Sequence, residues 1–145
     1  MGGDGTGIAP EGHSAGREVT EAFHRAVNAH DIAAACALVA PDARIVGASG
    51  RVLDGDGFAQ LLRATITAFP DLVMRVERWV IDGDLVVTEE TMVGTHRGVF
   101  AGVAPTNRKV ELPMCHVARV ADGRIVERVS YHDTAGIIRR LQAGS

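Results

Sequence analysis

Residues 72–95 have the sequence LVMRVERWVIDGDLVVTEETMVGT, in which two strand-like runs flank a short polar turn. The runs are Leu72–Ile81 and Leu85–Thr95, and both are rich in β-branched residues. The turn is Asp82-Gly83-Asp84, and a glycine-containing turn between two such runs is typical of a β-hairpin. This segment therefore predicts two long antiparallel strands.

The same arrangement is repeated towards the C-terminus. Val110–Val120 and Ile125–His132 are again strand-like, and they flank the turn Ala121-Asp122-Gly123-Arg124. The segment 97–108, which contains glycine and proline, lies between the two hairpins and predicts a longer turn. We therefore expect an antiparallel sheet in the second half of the chain.

Helical periodicity precedes the hairpins. From Arg17 to Val27, apolar residues recur at the spacing of one helix face. Asp31 has the position of an N-cap for a second short helix, and Ala40-Pro41-Asp42 is expected to end that helix. The β-branched pair Ile45-Val46 then predicts a short strand.

Two more helices are predicted, one before the first hairpin and one after the second. The third helix is expected to be capped by Asp54 or Asp56 and to end at Pro70, because proline restricts the residue before it to extended geometry. A last short helix follows Asp133, which again has the position of an N-cap. This order predicts an α+β domain in which helices cover one face of a bent sheet and enclose a pocket.

Composition limits the class of protein. The chain has 145 residues, 46% of them hydrophobic and 23% charged, as in a single globular domain. Residues 1–16 are rich in glycine and predict a flexible leader, followed by one domain over residues 17–145. The formal charge of −3 argues against a nucleic-acid partner. Since no long apolar run or signal-peptide pattern is present, we expect no membrane span and a cytoplasmic location.

Cysteine usage and ligand spacing argue against a metal site. Cys36 and Cys115 are far apart in the sequence and predict two buried thiols rather than a disulfide framework. The sequence contains no Cys-x-x-Cys pair, no His-x-x-x-His pair, no acidic calcium loop and no phosphate-binding glycine loop. We therefore expect a site without metal or organic cofactor.

Two strands of the predicted sheet carry groups suited to acid–base chemistry. By alternation, His116 shares the side of Met114, so its ring is expected to point into apolar surroundings. Glu90 and Met92 share a side of their own strand, and a carboxylate among apolar groups has its pKa raised by desolvation. A structural histidine and a solvated glutamate are the alternatives.

The other polar groups of the sheet lie on the last strand and at the end of the first hairpin. Alternation puts Arg128, Ser130 and His132 on one side of the last strand and Tyr131 on the other, and either side fits a pocket. His96 closes the strand that carries the glutamate pair, on the inward side.

Three further histidines are expected to have no part in the site. His13 belongs to the predicted leader. His24 and His30 lie on or at the end of the first helix, where we expect solvated or capping roles.

Six short motifs occur in the order and at the separations of a known family. They are Asn28-Ala29-His30-Asp31, Ala40-Pro41-Asp42, Ala68-Phe69-Pro70-Asp71-Leu72, Gly94-Thr95-His96-Arg97-Gly98, Phe100-Ala101-Gly102-Val103-Ala104-Pro105-Thr106 and Asp122-Gly123-Arg124-Ile125-Val126-Glu127. Over about residues 17–142, the chain resembles the SnoaL-like polyketide cyclases, which have the cone-shaped nuclear-transport-factor-2-like fold.

The resemblance implies an apolar pocket in which a ring is closed by intramolecular aldol condensation, without metal or nucleotide. It also implies an oligomeric protein, and we expect a homodimer or higher homo-oligomer, with the dimer formed through the outer face of the sheet. The family's histidine on the penultimate strand falls on His116, and its acid/base aspartate on the last strand falls on Ser130. Because serine cannot carry the proton that a carboxylate would, we expect Glu90, Asp133 or His132 to replace it.

These arguments together predict a set of site residues. The catalytic residues are expected to be His116, Glu90, Ser130 and Asp133. A hydrophobic small-molecule substrate is expected to contact His96, Arg128, His132, Tyr131, Met92, Met114, Phe69 and Phe100. In this hypothesis His116 with Glu90 moves a proton at an acidic carbon, and His96 or Arg128 polarises the developing oxyanion.

Two other functions would use the same pocket. Opening of an epoxide, by water or by a hydroxyl group of the substrate, needs the same histidine and carboxylate. A hydrophobic-ligand-binding protein without catalysis would also accept Ser130 at the aspartate position. Product mass separates the three functions, since ring closure leaves the mass unchanged, hydrolysis adds a water and a binding protein yields no product.

Overall fold

The computed structural model describes residues 14–143, so most of the expected leader, including His13, lies outside the described residues. The helices of the described part are α1 Ala15–Asn28, α2 Ile32–Ala37, α3 Gly55–Ala68 and α4 Thr134–Gln142. Ser14 caps α1 by accepting a hydrogen bond from the backbone N–H of Arg17. The first helix therefore begins two residues before the predicted start of the domain.

Six strands form one curved sheet within the described range. They are β1 Val39–Val46, β2 Val52–Leu53, β3 Val73–Asp82, β4 Leu85–Thr95, β5 Lys109–Ala121 and β6 Arg124–Tyr131. Their order in the sheet is β2-β1-β6-β5-β4-β3. Neighbouring strands are antiparallel, except β1 and β6, which are parallel. The predicted α+β class is confirmed.

The predicted helix caps are confirmed. The carboxylates of Asp31, Asp54 and Asp133 each accept a hydrogen bond from the backbone N–H three residues later, at the start of α2, α3 and α4. Asp54 rather than Asp56 caps α3, and that helix ends before Pro70. Local hydrogen bonds therefore set most helix boundaries.

The prediction that Ala40-Pro41-Asp42 ends the second helix is wrong. Helix α2 ends at Ala37, and the three residues belong to β1. The register between β1 and β6 shifts between Val39 and Arg44, so the proline lies in an irregular part of the ladder that does not need its missing N–H. Strand β2 was not predicted, because Val52–Leu53 is too short to give a pattern.

Both predicted hairpins are confirmed. Strands β3 and β4 are joined at Gly83 and Asp84, and β5 and β6 are joined at Asp122 and Gly123. Asp122 has φ 52° and Gly123 has φ 75°, which places both central residues in the left-handed region that a tight two-residue hairpin requires.

Simple alternation fails in β6 because the strand contains a bulge. Val120 pairs with Ile125, whereas Ala118 pairs with Arg128, so β6 has one extra residue between these pairs. Val120 and Ala118 are both buried on one side of β5. Ile125 and Arg128 therefore lie on the same side of the sheet, where alternation predicts opposite sides.

The helices cover the inner face of the sheet, and α1 contacts β3, β4, β5 and β6. Phe23, Phe58 and Leu112 are among the fully buried side chains of this core. Cys36 and Cys115 are free thiols, and they are half-buried rather than buried. No helix within residues 14–143 is long and apolar enough to span a membrane.

Candidate active site

A cavity of about 120 Å³ lies between α1, α3 and the inner face of the sheet. Apolar side chains form most of its wall, including Phe23, Val27, Phe58, Leu62, Leu72, Met74, Met92, Phe100 and Met114. The polar residues of the wall are His24, Thr65, Glu90, His116, Arg128, Ser130 and His132. A small apolar cavity with a few converging polar groups is the usual form of a small-molecule site.

Glu90 is the centre of a buried hydrogen-bonded group. Glu90, on β4, is 2% exposed. Oε2 accepts hydrogen bonds from Nδ1 of His116 at 2.9 Å and from the hydroxyl of Thr88 at 2.5 Å. The expected pair of His116 and Glu90 is therefore brought together on one face of the sheet.

His24 is the third member of this group. Its Nε2 lies 3.0 Å from Oε1 of Glu90, within ion-pair distance although the ring N–H is not well aligned with that oxygen. Nδ1 of His24 lies 2.8 Å from the carbonyl oxygen of Thr20. Because a carbonyl oxygen only accepts, Nδ1 carries a proton and donates it to that oxygen, so Nε2 is the nitrogen that faces the carboxylate.

Helix α1 reaches the sheet closely enough for this contact because Gly16 has no side chain. A Cβ atom at Gly16 would lie 2.8 Å from Cγ2 of Val86, so any larger residue would push the helix away from β4. Gly16, Thr20 and His24 follow each other at intervals of four residues and share one face of the helix. The close approach at Gly16 therefore places His24 on Glu90 two turns later.

The environment favours a neutral His116 and an ionised Glu90. Burial and the positive charge of Arg128 lower the pKa of His116 to about 4, against the hydrogen bond to Glu90, which raises it. Burial raises the pKa of Glu90, but the hydrogen bonds from His116 and His24 outweigh it and bring that pKa well below its ordinary value. Since His116 donates from Nδ1, its Nε2 is left as the basic nitrogen of the ring.

Arg128 and Ser130, on β6, lie beside His116 of the neighbouring strand β5. The guanidinium carbon of Arg128 is 5.1 Å from the ring centre of Phe23 and 5.6 Å from that of Phe58. Nη1 of Arg128 donates to Oγ of Ser130 at the long distance of 3.5 Å. Both residues line the cavity.

His132 lies where the cavity meets a wider cleft. The cleft has a volume of about 450 Å³ and shares Leu61, Phe100, Ser130 and His132 with the smaller cavity. Burial lowers the pKa of His132, against the effect of Asp133. Its Nδ1 is buried and has no partner among residues 14–143. A ligand in the cavity can therefore extend past His132 into the cleft.

Four expected site residues lie elsewhere. His96 is 0% exposed but is not part of the cavity wall, because its ring stacks on Phe69 and its Nδ1 contacts the hydroxyl of Thr106. Phe69 likewise lies behind Phe100 rather than on the wall. Tyr131 is 57% exposed and borders a groove on the outer face, together with Asp133. Asp133 is an exposed cap of α4, so it cannot replace the missing aspartate from there.

Sequence reasoning missed His24 and Thr88. The buried residues of α1 include Gly16, Thr20, His24 and Val27, which recur at helical spacing. Including the small and polar residues in the apolar stripe of α1 would therefore have placed His24 on the buried face. Thr88 lies two residues before Glu90, so strand alternation gives it the same side.

The described residues contain no group of three or more His, Cys, Asp or Glu side chains arranged to hold a metal ion.

Comparison with known proteins decides the family. The family model of the SnoaL-like polyketide cyclases matches residues 17–141. The chain belongs to this family. Among curated proteins, no sequence matches the chain.

Solved structures agree with this assignment. IdmH of Streptomyces antibioticus, a proposed polyketide cyclase, is 32% identical, with a TM-score of 0.77 over 87% of this chain and 97% of that chain. AclR of Streptomyces galilaeus, a proposed hydroxylase, is 25% identical, with a TM-score of 0.78 over 87% of this chain and 94% of that chain. A SnoaL-like protein of Jannaschia sp. CCS1, 19% identical, has a TM-score of 0.82 over 94% of this chain and 98% of that chain, which shows the fold.

This member of the SnoaL-like family has a neutral residue opposite its cavity histidine. His116 and Ser130 are Cα partners across β5 and β6. The buried carboxylate that contacts His116 instead comes from β4, on the other side of the histidine's strand.

Proposed function

We propose that this SnoaL-like protein closes a ring in a hydrophobic, polyketide-like molecule by intramolecular aldol addition, with His116 as the general base. The observation that carries the proposal is the contact between Nδ1 of His116 and Oε2 of Glu90 at the wall of an apolar cavity. A histidine held in this way by a buried carboxylate presents its second nitrogen as a base.

In the proposed reaction, Nε2 of His116 takes a proton from an acidic carbon of the substrate. The resulting enolate carbon attacks a carbonyl carbon of the same molecule, and the new alkoxide takes the proton back from His116. Ser130 and His132 lie beside His116 and are the hydrogen-bond donors for an oxygen that becomes negatively charged. Holding both ends of one molecule together can contribute roughly 7–11 kcal/mol, so modest acid–base assistance suffices.

Glu90 and His24 act through His116. Glu90 orients the ring and stabilises the imidazolium that forms when Nε2 is protonated, as the carboxylate of a catalytic triad does. His24 pairs with the second oxygen of Glu90 and so fixes the carboxylate. In this proposal His116 both takes and returns the proton, so no acid/base aspartate is needed at Ser130, and Glu90 and His24 are positioning residues.

The dimensions of the site indicate the form of the substrate. A cavity of about 120 Å³ is close to the size that accepts one benzene-like ring. The adjoining cleft of about 450 Å³, which includes Arg51, Gln60 and Thr134, is larger and more polar. The proposed substrate therefore places one ring or its precursor against His116 and extends the rest of the molecule past His132.

The test is mass spectrometry of a metabolite extract from the source organism, incubated with the protein or with its His116→Gln variant. An isomer of unchanged mass that forms only with the unmodified protein supports ring closure. A product heavier by one water means epoxide hydrolysis. Retention of one metabolite without conversion means a binding protein, and either result contradicts the proposal.

Self-association is proposed through the outer face of the sheet. Val80, Val87, Val117 and Val129 are successive register partners across β3, β4, β5 and β6. They lie on the face away from the helices, and Val80 is 54% exposed. A row of valines on an uncovered sheet face favours contact with a second copy of the chain.

A further inference from the structure

Arg128 supplies the positive charge of the cavity wall. Its side chain is packed between the sheet and the rings of Phe23 and Phe58, and burial lowers its pKa. A guanidinium remains charged in proteins even when it is desolvated. The cavity wall therefore carries a partly buried cation.

No carboxylate of the described residues forms an ion pair with Arg128. Its one hydrogen bond is the long contact of 3.5 Å with the neutral hydroxyl of Ser130. Glu90, the buried acid of the cavity, is already engaged by His24, His116 and Thr88. The charge of Glu90 reaches Arg128 only beyond ion-pair distance, where it opposes the lowering of the pKa of Arg128 by burial. The N–H groups of the guanidinium therefore have no acidic oxygen of the described residues as a direct partner.

The two phenylalanine rings compensate only part of this charge. They contact the guanidinium through ring faces, whereas its N–H groups point outward in its own plane and need oxygen acceptors. Buried charges in proteins are ordinarily paired or fully hydrogen-bonded. An unpaired guanidinium on the wall of a cavity is therefore a binding site for an anionic group of a ligand.

We propose that the natural ligand is an apolar molecule with one carboxylate, which Arg128 binds inside the cavity. The inference rests on the proposed function only because both use this cavity. A carboxylate matches the guanidinium in charge and accepts two parallel hydrogen bonds from it. Ser130 and His132 then remain as donors for the oxygen at the reacting end. An ester of the same molecule lacks the charge and binds more weakly.

The experiment uses benzoate and methyl benzoate as probes, because one ring fits the cavity and the two differ in charge. Binding is measured by NMR titration of the unmodified protein, Arg128→Gln and the control Arg124→Gln. Arg124 lies on the same strand but is exposed to solvent. Benzoate is expected to bind the unmodified protein and Arg124→Gln at least about tenfold more tightly than the ester. In Arg128→Gln this preference disappears, while the ester still binds.

Equal binding of both probes to the unmodified protein, or no binding of benzoate, would overturn the proposal. So would an Arg128→Gln variant that keeps the preference for benzoate. If Arg128→Gln does not fold, Arg128→Lys replaces it, and a reduced but measurable preference is expected because the charge remains and the forked donor is lost. If benzoate binds preferentially but no metabolite is converted, the carboxylate site is supported and ring closure is contradicted. The two proposals can therefore fail separately.

Discussion

His116 and Ser130 face each other directly across strands β5 and β6, and no carboxylate occupies the position opposite the histidine. The carboxylate that holds His116 lies on β4, where Glu90 is diagonal to it. Arg128 lies two residues before Ser130 and has no acidic partner in the described part of the chain. Because the carboxylate of Glu90 lies on β4 and none lies opposite His116 on β6, it contacts His116 but leaves Arg128 without an acidic partner among residues 14–143.

Ser130→Asp is expected to raise the pKa of His116 by about one unit or more, because a carboxylate opposite the ring stabilises the imidazolium. The starting pKa is about 4. NMR titration of the ring measures the shift. Ser130→Asn, which is similar in size but uncharged, should leave the pKa close to its starting value, and an equal shift in both variants would contradict the electrostatic explanation.

Glu90→Gln is expected to destabilise the protein by about 2–3 kcal/mol, because it removes the charge that His24 and His116 contact in a buried position. Turnover should fall as well. Glu89→Gln is the matched control, since Glu89 is the next residue, points outward and pairs with Arg78 at an exposed site. That control should cost less than about 0.5 kcal/mol. Urea unfolding of both variants compares them, and similar losses would contradict the buried pairing.

Acidification is expected to destabilise the protein between pH 6.5 and about 4. In this window an unfolded histidine binds a proton that folded His116, with its pKa lowered to about 4, does not bind. Protons therefore favour the unfolded state, and the loss reaches about 3 kcal/mol. Glu90 acts in the same direction at lower pH, because its pKa is also below its ordinary value. Urea unfolding at several pH values should show a flatter dependence for His116→Gln than for the unmodified protein.

His24→Gln is expected to raise the pKa of His116, because the charge of His24 is one of the factors that lower it. The pH midpoint of activity should move in the same direction, and kcat should fall more than KM changes. Arg25→Gln removes an exposed charge from the neighbouring position of the same helix and should alter neither. A loss of activity in His24→Gln without any change in midpoint would mean that His24 is only a packing residue.

Val117→Lys is expected to prevent self-association, because it places a charge in the middle of the valine row on the outer face. Light scattering after gel filtration should show a dimer for the unmodified protein and a monomer for the variant. Val99→Lys is the control, since Val99 is 68% exposed in the segment between the hairpins. A monomeric unmodified protein would contradict the proposed interface.

Local signals in the sequence determined the elements. Aspartates at positions 31, 54 and 133 cap three helices because a carboxylate reaches the backbone N–H three residues later without help from the rest of the fold. Asp122-Gly123 makes a tight hairpin because both residues tolerate positive φ. Alternation within β4 and β5 also predicted that Glu90 and His116 point inward.

Only the tertiary structure decided which of these side chains meet. The extra residue in β6 turns Arg128 to the side of Ile125, and a bulge of this kind depends on pairing with strands far away in the sequence. Tyr131 alternates with Ser130 and so faces the outer side, while Asp133 follows the strand and caps α4. His24 reaches Glu90 because Gly16 lets α1 approach β4, a contact between segments about seventy residues apart that no local pattern encodes. The sequence therefore supplied the chemical groups, and long-range packing selected the histidines, the carboxylate and the arginine that share one cavity.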